Sequence, residues 1–84
     1  MMVEFSVRLY SSGQVQIPKR IVEFEELWVG TPIEVRFWNG RRSIVFKSRV
    51  GVHFRFVIPS LELVGGRLKH GDVFKISLEK LDKS

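Results

Sequence analysis

The 84-residue chain contains no cysteine and no long apolar run. Without cysteine, disulfides and thiolate metal ligands are excluded, so the fold must rest on packing and hydrogen bonds, and a cytoplasmic location is expected. No apolar stretch approaches the roughly 20 residues of a membrane-spanning helix. Residues 1–9 also carry Glu4 and Arg8, where a signal peptide needs an unbroken apolar run. We therefore expect no membrane association.

Motifs of catalysis and of cofactor binding are missing as well. No phosphate loop, paired-carboxylate motif or dinucleotide fingerprint occurs, and Ser11 and Ser12 lack the adjacent base and acid that a nucleophile needs. His53 and His70 have no cysteine or His-rich spacing near them, which favours ordinary surface positions over metal ligation. The sequence predicts no enzymatic activity, no cofactor, no metal and no small-molecule substrate.

What the chain does contain is enough apolar material for one core. Its hydrophobic fraction is 44% and its aromatic fraction is 12%, which is ordinary for a globular protein, and its length allows a single domain over residues 1–84. The net charge of +5 is unevenly placed. Residues 1–41 have five cations and five acids, whereas residues 42–84 have nine cations and four acids. A basic second half suits a polyanion such as nucleic acid, although a charge of this size also serves solubility.

The two halves also resemble each other. Sliding the sequence by 41 positions aligns Ile17-Pro18 with Ile58-Pro59, Leu27 with Leu68, and Gly30 with Gly71 without a gap. Most of the remaining aligned strand positions stay apolar in both halves. We therefore predict an internal duplication, with one repeat at about 1–40 and the other at about 41–84, related by a pseudo-twofold axis.

Local patterns place the same elements in each repeat. Alternation of apolar and polar residues predicts a strand from Val3 to Leu9, and proline at a first helical turn predicts that Pro18 and Pro59 precede equivalent short helices. Asn39-Gly40 is typical of a type I′ hairpin that joins the repeats. The full set of predicted elements is strands Val3–Leu9, Val15–Ile17, Ile33–Trp38, Arg41–Lys47, Arg55–Ile58 and Val73–Leu81, and helices Lys19–Leu27 and Ser60–Val64, the latter stopped by Gly65-Gly66.

Two stretches resemble a known family. The segment GQVQIPK at residues 13–19, followed by Leu27 and Gly30, is similar to the AbrB and SpoVT family of swapped-hairpin barrels, and LKHGD at residues 68–72 is similar to the Gly-Asp turn of the wider cradle-loop group. The resemblance implies a mainly β fold with two short helices, a six-stranded closed cradle-loop barrel built from two ββαβ repeats. Because both repeats lie in one chain, it further implies a monomeric RIFT-type barrel like small archaeal relatives.

The same resemblance implies DNA binding and transcription regulation. The arginine that the family carries after its glycine is Gln14 in the first repeat and Arg55 in the second, and Arg8 and Arg49 match a basic position on the first strand of each repeat. Arg41, Arg42 and Lys47 add cations that suit phosphate contacts. The predicted nucleic-acid site is Arg8, Arg41, Arg42, Lys47, Arg49 and Arg55.

Other interpretations of these residues remain open. Arg41-Arg42 is also compatible with a solvated hairpin tip, which is the more common role of such residues. Phe54 and Phe56, which flank Arg55, fit either a stacking surface or, as is more usual for such aromatics, the core. One alternative function is a protein-interaction adaptor that uses Trp28, Trp38 and the acidic helix around residues 23–26. Another is an RNA-contacting barrel of the kind found in translation proteins. DNA, RNA and protein all remain candidate partners.

Overall fold

A computed structural model of the chain describes residues 2–39, 42–60, 62–63 and 68–81. Strand and helix positions follow the predicted order within one or two residues. The elements are β1 (Val3–Arg8), β2 (Gln14–Gln16), α1 (Lys19–Glu25), β3 (Pro32–Asn39), β4 (Arg42–Arg49), β5 (Arg55–Val57) and β6 (Val73–Lys80), with a 3-10 turn before β2 (Ser11–Gly13) and another before β5 (Val52–Phe54). Within these ranges, no helix has the length and apolar content needed to cross a bilayer.

The strands form two antiparallel sheets around one core. The larger sheet has the order β1-β6-β3-β4, and the smaller sheet contains β2 and β5. Alternate residues of each strand point inward, as the period of two requires. The buried side chains of both sheets belong to a single cluster: Phe5, Val7, Leu9, Val15, Ile17, Ile21, Leu27, Ile33, Val35, Phe37, Ile44, Phe46, Val50, Phe56, Ile58, Ile76 and Leu78. The two sheets therefore have outer faces that point away from this cluster in different directions.

Backbone hydrogen bonds at the two prolines are equivalent at an offset of 41 residues. The Pro18 carbonyl accepts from the amides of Ile21 and Val22, and the Pro59 carbonyl accepts from the matching amides of Glu62 and Leu63. Pro18 and Pro59 thus occupy equivalent positions, as predicted. Of the second predicted helix, Ser60, Glu62 and Leu63 have helical backbone, while the rest of it, the Gly65-Gly66 stop and Gly40 of the hairpin turn lie outside the described residues.

The strand registers reveal the pseudo-twofold axis. Val3 pairs with Leu78 in β1–β6, and the matching pair in the other half is Phe37 with Ile44 in β3–β4. The axis passes through each sheet where a residue pairs with its own counterpart 41 positions away. These pairs are Arg36 with Ser77 in the larger sheet and Val15 with Phe56 in the smaller one. Each repeat therefore completes its core with strands of the other, because every strand pair joins a strand of one repeat to a strand of the other.

The predicted closed six-stranded barrel is wrong. Closure requires a continuous ladder of hydrogen bonds around the sheet, but β2 and β5 have only three residues each, and all of them pair with each other. Their registers leave β1 and β4 as the edges of an open four-stranded sheet. The 3-10 turns explain this separation. Ser12 and His53 have positive φ values of 66° and 61°, and they redirect the chain between the long strands and the short ones.

Candidate nucleic-acid interface

The outer face of the four-stranded sheet carries most of the predicted cations that the structure describes. Since the inward positions of each strand are buried, the intervening residues face outward. These outward residues are Glu4, Ser6 and Arg8 of β1, Val73, Lys75, Ser77 and Glu79 of β6, Pro32, Glu34, Arg36 and Trp38 of β3, and Ser43, Val45, Lys47 and Arg49 of β4. We refer to this surface as the outer sheet face.

Arg8, Lys47 and Arg49 lie on the outer sheet face, and all three side chains are exposed. Arg8 ends one edge strand and Arg49 ends the other, at positions that match by the offset of 41. Arg49 also has a structural contact, because its Nη1 donates to the carbonyl oxygen of Gly30 at 2.9 Å. Both arginines therefore retain N–H groups that point toward solvent, since a guanidinium has five donors.

Arg55 does not join this group. It begins β5, in the two-stranded sheet, and its Nε donates to Oε1 of Gln16 at 2.9 Å. Arg55 therefore does not share a face with Lys47 and Arg49, because the positive φ values of His53 and Phe54 turn the chain into the second sheet. Arg41 lies outside the described residues, and only the backbone of Arg42 is described, in β4.

Charge is unevenly distributed on the outer sheet face. Glu34 pairs with both Lys47 and Glu79, so acids and a cation share the end of the sheet near Lys47. At the opposite end, Phe37 pairs with Ile76, and the next outward residues on the same two strands are Trp38 and Lys75. Lys75 in turn pairs with Ser6. The end formed by Ser6, Arg8, Trp38, Ser43 and Lys75, which we call the Trp38 end, has two cations and no acid.

Exposure and geometry at the Trp38 end suit an aromatic contact. The Trp38 side chain is 46% exposed although its strand neighbour Phe37 is completely buried. Lys75 and Arg8 both lie on the β6 and β1 side of Trp38, so the exposed indole provides a stacking surface with cations along one side. Lys75 was not among the sequence-predicted residues. Its alternation with Phe74 and Ile76 signals an outward position, but its proximity to Trp38 depends on pairing between distant strands.

Arg36 lies at the centre of the outer sheet face, between the two ends. Its Nε is buried and has no hydrogen-bond partner among the described groups. The remaining described titratable residues show no cluster of three or more His, Asp or Glu that could hold a metal ion. The Trp38 end of this face therefore offers exposed cations and one indole, while Glu4, Glu34 and Glu79 lie elsewhere on the face.

Comparisons with known proteins establish the fold alone. No family model matches the chain, and no curated protein matches it in sequence. Its structure is similar to the solution structure of PHS018 from Pyrococcus horikoshii, with a TM-score of 0.80 and 22% sequence identity over 96% of this chain and 92% of that one. This likeness spans nearly the whole of both chains, so the two-sheet arrangement is shared by an experimentally determined structure.

Proposed function

We propose that this protein binds single-stranded nucleic acid across the outer sheet face, with the Trp38 end as the principal contact. The observation that carries the proposal is the clustering of Trp38, Lys75 and Arg8 on a solvent-facing sheet surface without an intervening acid. Proteins that bind single strands combine a basic track for phosphates with aromatic side chains on which bases stack. A four-stranded antiparallel sheet with an aromatic on its open face is a known platform of this kind.

A single strand fits this surface better than a duplex. Reading a duplex requires a helix or a β-ribbon that enters the major groove, whereas the outer sheet face presents a sheet surface with a single exposed indole. Duplex binding of the AbrB kind stays a prediction from the resemblance. It depends on Arg55, which lies on the other sheet and is held by Gln16.

A salt-dependent binding titration tests the proposal. Labelled oligo(dT), oligo(U) and duplex DNA are titrated with the parent protein and with the double variant Arg8→Gln/Lys75→Gln. Each phosphate contact on a single strand contributes about 0.7 to the slope of log K against log salt, so the double variant should flatten the slope by about 1 to 1.5. Trp38→Ala should weaken single-strand binding by about tenfold, because stacking of one base is worth about 1–3 kcal/mol.

Matched controls separate a binding site from general charge. Lys19→Gln/Arg20→Gln also removes two exposed cations, but on α1, and it should leave the slope within experimental error of the parent. Trp28→Ala removes the other exposed indole and should leave the affinity unchanged. Absence of single-strand binding by the parent at low salt, or equal losses in the control and test variants, would contradict the proposal. Tighter binding of the parent to duplex DNA than to either single strand would favour the DNA-regulator hypothesis instead.

A further inference from the structure

A second surface, formed by α1 and the turn that follows it, exposes large apolar side chains. Phe24 of α1 is 67% exposed, and Trp28 and Val29, which follow the helix, are 74% and 57% exposed. Beside them runs a groove between α1 and the 3-10 turn before β5. It consists of two adjoining cavities of about 380 and 470 Å³ that share Val22, Glu23 and Phe54. Exposed apolar side chains beside an apolar groove mark interaction sites.

The second repeat shows that these apolar residues are not needed for folding. Trp28 and Lys69 occupy the same position of the same turn, offset by 41 residues. The Trp28 amide donates to Oγ1 of Thr31 at 2.8 Å, and the Lys69 amide donates to Oδ2 of Asp72 at 2.8 Å. His70 likewise stands where the first repeat has Val29. A lysine and a histidine thus support the turn that a tryptophan and a valine support in the first repeat.

Phe54, on the floor of the groove, leads to the same conclusion. It has a φ of 56°, and its repeat counterpart Gly13 has a φ of 73°. L side chains rarely adopt this left-handed region, whereas glycine enters it without steric cost. A side chain at residue 13 is excluded by space, because a Cβ there would lie 2.9 Å from the carbonyl oxygen of Ile58 and 3.1 Å from Cδ1 of Leu63. The equivalent space beside α1 admits the side chain of Phe54, which has an unfavourable backbone conformation and lines the groove.

The charge of this surface identifies the partner that it fits. Glu23 and Glu26 are exposed and line the cavity of about 470 Å³, which has no cation among its lining residues, whereas Lys19 joins Glu23 at the cavity of about 380 Å³. From Ile21 to Thr31 the chain has three acids and no cation. This local charge is opposite in sign to the net charge of +5. Complementary potentials favour a basic partner at this surface and disfavour the polyanion expected at the outer sheet face.

We propose that the groove between α1 and Phe54 binds a basic segment of a partner protein that carries an apolar anchor. The anchor packs against Val22, Phe54 and Trp28, and flanking lysines or arginines pair with Glu23 and Glu26. This site is separate from the outer sheet face and independent of nucleic-acid binding there. A buried aromatic anchor surrounded by charged rim pairs is the usual source of affinity at such interfaces.

Fluorescence anisotropy with labelled amphipathic peptides tests this site. One probe is a Leu/Lys peptide with apolar residues on one helical face, and the other is a Leu/Glu peptide of the same length and apolar pattern. The parent protein should bind the Leu/Lys peptide and not the Leu/Glu peptide. Trp28→Lys, which copies the second repeat, should weaken binding by about thirtyfold, as expected for loss of an aromatic anchor. Glu23→Gln/Glu26→Gln should weaken it by about fivefold, as expected for two exposed ion pairs.

The control variants alter the same types of residue, an exposed tryptophan and an exposed glutamate, at positions away from the groove. Trp38→Phe alters the other exposed indole, and Glu4→Gln removes an exposed acid from the outer sheet face, so both should bind like the parent. Equal binding of the two peptides, or unchanged binding by Trp28→Lys with circular dichroism like that of the parent, would overturn the proposal. A dimer of the parent in light scattering that Trp28→Lys dissociates would overturn it in favour of a second copy of the chain.

Discussion

Trp28 in the first repeat and Lys69 in the second stand at the same position of the same turn, with an equivalent side-chain acceptor beneath each amide. The interiors of the repeats are alike as well, since Ile17 and Ile58 are both 1% exposed. Their surfaces differ, because the first repeat exposes a tryptophan and a valine where the second exposes Lys69 and His70. Hydrogen bonds and core packing therefore specify the backbone that the two repeats share. Residues that differ between the repeats without changing this backbone are the candidates for function.

The largest expected effect comes from breaking the shared core. Ile17→Ala and Ile58→Ala each remove a buried side chain at equivalent positions, and each should lower the free energy of unfolding by about 2–5 kcal/mol. If the repeats are equivalent inside, the two losses should agree within about 1 kcal/mol, which is smaller than the usual spread among core sites. Urea denaturation followed by circular dichroism measures both. A loss confined to one repeat would show that the core is less symmetric than the registers indicate.

A smaller effect is expected where the repeats differ in steric room. Gly13→Ala places a Cβ 2.9 Å from a backbone oxygen at a φ of 73°, so it should destabilise the protein by about 1–3 kcal/mol through combined strain and overpacking. Gly30→Ala and Gly71→Ala provide matched controls. They also have positive φ, at 96° and 95°, but nothing lies within 4 Å of the added Cβ. Each should cost less than Gly13→Ala in the same denaturation experiment, and a reversed order would refute the steric explanation.

The smallest effect concerns the two turn acceptors. Thr31→Ala and Asp72→Ala each remove the acceptor of one backbone amide, and each should cost about 0.5–1.5 kcal/mol. The loss should be greater for Asp72, because a hydrogen bond to a charged acceptor is the stronger of the two. Thermal unfolding at low and high salt distinguishes them, since added salt should reduce only the Asp72 contribution. A greater loss at Thr31 that does not change with salt would contradict this order and would assign the difference to packing of the threonine methyl group.

Much of the local structure follows from local chemistry and could be predicted. Period-two alternation identified β1, and Pro18 identified the beginning of α1, because these signals act over a few residues. The similarity of the two halves was also visible, since a few identical residues and an apolar pattern recur at an offset of 41. The candidate site was only partly predictable. Lys47 and Arg49 lie on one face by simple alternation along β4.

Prediction failed where distant segments had to be placed against each other. Alternation along the chain left open whether Arg55 would lie beside Lys47, and the left-handed residues His53 and Phe54 place β5 in another sheet. Positive φ is rare at residues other than glycine, so the sequence did not predict it at His53 and Phe54. Lys75 was overlooked because its importance comes from Trp38, which only the β3–β6 pairing brings next to it.

Local sequence signals were enough to predict the similarity of the two halves, the positions of the strands and α1, and the apolar residues of the core. Each of these depends on short-range periodicity or on residues such as proline and glycine. Only the tertiary structure decided that the sheets stay open, which cations share a face, and that Phe54 lines a groove. These outcomes depend on strand register and on backbone conformation at a few turn residues. A change of register or of turn conformation moves a whole strand. The free energy that favours one arrangement comes from contacts between residues far apart in the chain.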